Sequence, residues 1–88
     1  MSAELHEMTQ YDWFSQARIH ETNGEDRKAL EAYEESIKID ATFAKAWFYK
    51  AKLHYKLGEK KLAKECVERT LALEPDWEKY VKRYMPDL

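Results

Sequence analysis

The sequence predicts an all-α fold of antiparallel helix pairs, and three observations predict it. Ala, Leu, Glu and Lys dominate while Val, Ile and Thr are sparse, which is the composition of helices rather than strands. Only two Gly and two Pro interrupt the 88 residues, so the elements must be long. The two glycines, Gly24 and Gly58, stand 34 residues apart, and that interval proves to be the period of an internal repeat.

Sliding the chain by 34 residues aligns Trp13 with Trp47, Phe14 with Phe48, Ala17 with Ala51 and His20 with His54. The register continues through Glu25 with Glu59, Ala29 with Ala63, Glu31 with Glu65 and Glu34 with Glu68. Over the 29 pairs from Trp13/Trp47 to Ala41/Pro75, nine are identical and seven more are conservative. Composition alone would give about two identities.

Each unit reads as two helices around its glycine. Trp13, Ala17 and His20 recur at helical spacing, and Gly24 follows where a left-handed residue would close the helix. The next helix sets Ala29, Tyr33, Ser36 and Ile37 on one side, with Glu31, Glu34, Glu35 and Lys38 on the other. Asp40 or Thr42 is placed to cap the third helix, and Asp76 to cap a fifth. The predicted spans are 10–22, 26–39, 43–56, 60–73 and 77–84, with Pro86 ending the last; residues 1–8 are expected to fray, unless Leu5 and Met8 extend the first helix. In the closing segment Trp77, Tyr80, Val81 and Tyr84 fall on one face, expected to cover the apolar end of the second repeat.

Length and composition bound the rest. A chain of 88 residues is expected to be one domain, and 44 % hydrophobic residues suffice for a packed core. The single Cys66 has no intramolecular partner and fits a reducing compartment. "MSAELHEMTQ" has neither the basic region nor the apolar run of a signal peptide, and no membrane span is expected. The expected setting is soluble and cytoplasmic.

The pattern resembles the tetratricopeptide repeat, a 34-residue helix-turn-helix of the form W-x2-L-G-x2-Y, then A-x3-F, then P. The first copy reads Trp13, Gln16-Ala17, His20, Ala29, Tyr33, with Ala41 where Pro is usual. The second reads Trp47, Lys50-Ala51, His54, Ala63, Val67, Pro75. The resemblance implies an α-solenoid of five helices in a right-handed superhelical stack. Repeat one would span about 10–41 and repeat two about 44–75, with a capping helix at about 77–85. Gln16 and Lys50 depart from the usual apolar residue, and His20 and His54 from Tyr, so looser packing of the first helices is expected.

No constellation calls for catalysis, a cofactor or a metal. His20 and His54 are equivalent, yet zinc needs four ligands and no Cys or acid pair supplies the others. Cys66 follows His54 by 12 residues, without a third orienting group or an oxyanion-hole element. The glutamates of the second helices read as a solvated face with i,i+4 pairs.

The segment "KAWFYKAKLHYKLG" is different: it holds four lysines and no acid on a chain of net charge −2. In tetratricopeptide arrays the first helices line the concave face, where extended peptides or partner helices bind. A helical wheel sets Lys45, Phe48, Lys52, Tyr55 and Lys56 on that stripe, with Tyr11, Phe14, Arg18, Glu21 and Thr22 in the first repeat and Lys79, Lys82 and Arg83 in the closing helix. The stripe carries seven bases and one acid among aromatics. One family subset clamps a C-terminal carboxylate, and Lys79 and Arg83 match its last pair in spacing. Phe14, Arg18 and Tyr49 stand where its first Lys and two Asn would be, so the full clamp is not reproduced. The expectation is a non-enzymatic protein-interaction module for a protein or peptide partner, acidic or offering its C-terminus. The chain would be a monomer or a weak homo-oligomer. A self-assembling scaffold unit is the alternative, and single-stranded RNA stacked on Tyr11, Phe14, Phe48 and Tyr55 ranks below both.

Overall fold

The computed structural model describes residues 7–88. Helices α1 (Gln10–Thr22) and α2 (Asp26–Ile39) form the first antiparallel pair, and α3 (Ala44–Lys56) and α4 (Lys60–Leu73) form the second. A 3-10 turn, Pro75–Trp77, leads into α5 (Glu78–Tyr84). Each helix lies within one residue of its predicted span.

Local chemistry sets the ends. Thr9 caps α1 in a capping box, its hydroxyl accepting from the Asp12 N–H at 3.2 Å while the Asp12 carboxylate accepts from the Thr9 N–H at 2.9 Å. The helix therefore does not extend through Met8, and Leu5 lies outside the described residues, as does most of the stretch expected to fray. Both glycines take positive φ, +79° at Gly24 and +80° at Gly58, as a left-handed helix stop requires. There the Glu25 N–H donates to the His20 carbonyl and the Gly24 N–H to the Glu21 carbonyl, and the same pair of bonds recurs from Glu59 and Gly58.

Two expected caps are absent. Asp40 accepts from the Thr42 N–H and hydroxyl, at 3.0 and 2.6 Å, so it closes the inter-repeat loop and leaves the start of α3 without a side-chain cap. Asp76 sits inside the 3-10 turn that Pro75 initiates, and α5 starts without a side-chain cap at Glu78.

Small residues let the pairs close. Ala17 and Ala29 are fully buried in the first pair, Ala51 and Ala63 in the second. Among the described residues two clusters form the core. One gathers Ala17, Ala29, Leu30, Ala32, Tyr33 and, from the second repeat, Leu53. The other gathers Phe48, Ala51, Cys66 and Val67 with Val81 and Met85 of the closing segment.

The residues that depart from the repeat pattern in the first helices make contacts of their own. Their histidines are tied into the turns: Nδ1–H of His20 donates to Glu25 Oε1 at 2.7 Å, and Nδ1–H of His54 to Glu59 Oε1 at 2.8 Å. The backbone bond between the same two residues makes each turn a double clasp. The Lys50 ammonium stands over Trp47 and reaches Glu34 of α2 at 3.6 Å.

The closing helix covers the second repeat with a different stripe from the expected one. Val81 and Met85 are buried and Trp77 packs beside them, whereas Tyr80 and Tyr84 are exposed. Seven residues make only two turns, and spacing of four carries the buried face on to Met85.

Candidate functional site

Aromatic residues of α1 and α3, with Phe43 between the repeats and two rings of the closing segment, form one continuous file. Tyr11 meets Phe43 at 5.2 Å between ring centroids, Phe43 meets Phe14 at 5.5 Å, and Phe14 meets Tyr49 at 5.1 Å. Tyr49 then meets Phe48 at 6.0 Å, and Phe48 meets Trp77 at 5.9 Å and Tyr84 at 6.2 Å. Except for Phe48, these rings remain partly or largely exposed. Most contacts are edge-to-face, the geometry in which one ring's positive edge meets the next ring's negative face.

Cations lie along this file. Lys45 stands 5.8 Å from the Phe14 centroid, and the Arg18 guanidinium 4.7 Å from that of Tyr49. Lys52 is held by three rings, at 4.3 Å from Tyr49, 4.5 Å from Tyr84 and 5.3 Å from Phe48. Burial among them, reinforced by the neighbouring Arg18 charge, lowers the Lys52 ammonium from its usual value. Beside it opens a cleft of about 350 Å³ lined by Lys45, Phe48, Tyr49, Lys52, Trp77, Tyr80 and Tyr84.

Of the residues proposed from sequence, Lys45, Phe48 and Lys52 meet in this cleft, and Phe14 and Arg18 adjoin it through Tyr49. Tyr11 lies at the far end of the file against Phe43. Tyr55 is drawn away, donating its hydroxyl to Asp87, which Lys60 also holds. Lys56 faces Glu21 at 3.7 Å and Asp26 at 3.4 Å, so its charge is balanced locally. Arg18 is paired with Glu21 at 3.0 Å. Lys82 reaches Glu78 at 3.8 Å, Lys79 lies 5.2 Å from the Tyr80 ring, and Arg83 is exposed. The sign imbalance read along the stripe is thus reduced at Arg18, Lys56 and Lys82.

Four cleft residues escaped the sequence reading. Their spacing sets Trp77, Tyr80 and Tyr84 on the covering face of α5, and Tyr49 falls at a position matched against an Asn. The signal for Tyr49 was its place one residue after Phe48, within the aromatic density of the segment. Nothing comparable marked Phe43, a loop residue.

Family models described as tetratricopeptide repeat match residues 13–43 and 44–77. The chain belongs to the tetratricopeptide-repeat family. No curated protein and no solved structure matches it significantly. Tetratricopeptide repeats mediate protein–protein interactions, and the family is one of non-enzymatic binding repeats. Among the described residues no helix is long and apolar enough to cross a membrane, and no three His, Cys, Asp or Glu side chains converge as metal ligands do. Cys66 is buried in the second tetratricopeptide core, where desolvation pushes its thiol above the usual value and away from thiolate reactivity.

Proposed function

We propose that the chain is a non-enzymatic interaction module that binds an acidic peptide segment of a protein partner along its aromatic file. The cleft at Lys52 is the anchor point. The observation that carries this reading is the Lys52 ammonium, held over three rings beside an open cleft. An ammonium already stripped of part of its water has less hydration to lose when a carboxylate arrives, and the surrounding rings offer apolar area to the rest of the ligand. Lys45 on the same wall adds a second positive charge. The setting is cytoplasmic in this reading.

Chemical-shift mapping of the labelled chain with a library of acidic peptides tests it. The expected shifts lie at Lys45, Tyr49, Lys52 and Tyr84, and the affinity falls with salt, because rim charges act through a field screened beyond about 8–10 Å. Charge reversal, Lys52→Glu or Lys45→Glu, should slow association with the fold intact. Tyr84→Ala should instead speed dissociation; this exposed ring is a cleaner probe than the buried Phe48, whose loss would also open the core. Shifts confined to Glu31, Glu34 and Lys38 would overturn the reading.

A further inference from the structure

The two repeats treat their equivalent tryptophans differently. Over Trp47 stand two cations of the chain itself, Lys50 at 5.6 Å and Arg69 at 5.5 Å from the ring centroid. One period earlier these positions are Gln16 and Glu35. Among the described residues no ammonium or guanidinium stands over Trp13. The space beside Trp13 is instead open, a cleft of about 360 Å³ lined by Trp13, His20, Lys28, Glu31, Ala32 and Glu35. It shares no residue with the cleft at Lys52.

The chemistry of this cleft is the reverse of the one at Lys52. Glu31 is exposed and, among the described residues, has no cation against it. Glu35 reaches Lys38 at 3.1 Å, an exposed i,i+3 pair of the kind that contributes little and exchanges readily. Among the described residues Lys28 is the one ammonium on the wall. Its ammonium lies 3.9 Å from Glu25, and its counterpart in the second repeat is Leu62. Nδ1 of His20 is engaged by the same Glu25. What remains is an aromatic ring and two carboxylates, without the cations that occupy the equivalent ring one repeat later.

We propose that this cleft receives a guanidinium in trans, the arginine side chain of a protein partner. The guanidinium lies over Trp13 as that of Arg69 lies over Trp47, and its N–H groups donate to the carboxylates of Glu31 and Glu35. Trp is the strongest of the aromatic faces for a cation. The planar, weakly hydrated guanidinium combines stacking with forked donation to carboxylates, which the compact ammonium of lysine cannot do. The site goes beyond the acidic-peptide reading of the concave file and uses none of its residues.

The second repeat supplies the test. The labelled chain is titrated with the peptides acetyl-Gly-Arg-Gly-amide, acetyl-Gly-Lys-Gly-amide and the neutral citrulline analogue, while the indole N–H of Trp13, assigned through Trp13→Phe, is followed. Shifts are expected at Trp13, Glu31 and Glu35 with the arginine peptide, smaller ones with lysine and none with citrulline. Gln16→Lys and Glu35→Arg install the repeat-two residues, so the chain fills its own cleft and arginine-peptide affinity should fall about tenfold. Lys28→Leu removes the competing base and should tighten binding. Circular dichroism reports that each variant is folded, and an acidic-peptide titration reports the Lys52 cleft separately. Equal response to arginine and citrulline, no shift at Trp13 with any peptide, or undiminished affinity in folded Gln16→Lys and Glu35→Arg would overturn the proposal.

Discussion

Ile19 and Leu53 hold the same position in successive repeats, yet Ile19 is 55 % exposed and Leu53 is fully buried. The residues are nearly equivalent; their neighbours are not. Leu53 enters the core of the first repeat, against Ala29, Leu30 and Tyr33, whereas no helix among the described residues lies in front of α1. The second helices show the complementary case. Tyr33 is fully buried, donates its hydroxyl to Glu21 at 2.8 Å, and is pushed above the usual phenol value by desolvation. Its counterpart Val67 is far smaller, and Val81 and Met85 of the closing segment complete the packing around it. In a stacked array each repeat is finished by the one beside it, so burial follows position in the stack more than position in the period.

The largest effect should come from breaking the second repeat's cover. Removal of residues 77–88 deletes Trp77, Val81 and Met85 from a core cluster, and unfolding or concentration-dependent association is expected by calorimetry and by sedimentation at several concentrations. A truncated chain that stays monomeric and melts like the parent would mean that Phe48, Ala51 and Val67 hold together without it.

Next comes the direct comparison of Leu53 and Ile19. Leu53→Ala should cost about 2–5 kcal/mol as a cavity in a closed core, while Ile19→Ala should stay within about 0.5 kcal/mol. Urea midpoints measure both. Equal losses would show that the Ile19 face is covered in solution, and the contrast between the repeats would fail.

A smaller loss, about 1–3 kcal/mol, is expected from overpacking each helix pair with Ala17→Leu or Ala51→Leu. Both alanines are fully buried, so the costs should be similar. Wild-type melting in one variant alone would show that its helix pair can separate to admit the larger side chain.

The period carries most of this fold. Glycine spacing, the recurring Trp–Ala–His triplet and the small residues at Ala29 and Ala63 all report local geometry that a single chain repeats. The failures came where contacts are not local. The caps at Asp40 and Asp76 were misread because a loop hydrogen bond and a proline-led 3-10 turn use those residues first. The wheel placed Lys56 on the groove stripe, but wheels carry no information on partners such as Glu21 and Asp26 from another helix pair. Tyr80 and Tyr84 were assigned to the core because aromatic spacing alone does not say which of two adjacent faces a short helix buries.

The smallest effect concerns the two His–Glu clasps, and it separates the repeats by pH. Hydrogen bonds from His20 and from His54 hold Glu25 and Glu59 below the ordinary value of 4.5. Glu59 is lowered further by Arg27, which crosses from the first repeat at 2.9 Å, whereas the second cation at Glu25 is Lys28, 3.9 Å away. A carboxyl depressed on folding binds fewer protons in the folded state than in the unfolded one. Its contribution is therefore fully present above the unfolded value and is lost as pH falls through the lower folded one. Melting temperature should be insensitive to these two groups above about pH 5 and should drop below it, with Asp40 and Asp87 acting in the same direction. Glutamine can still accept from the imidazole N–H but carries no charge to titrate. Glu25→Gln and Glu59→Gln should both flatten the acid limb, and Glu59→Gln the more, because its carboxylate joins the two repeats through Arg27. Acid limbs flattened equally by the two substitutions would mean that the Arg27 bridge adds nothing, and that each clasp acts only within its own repeat.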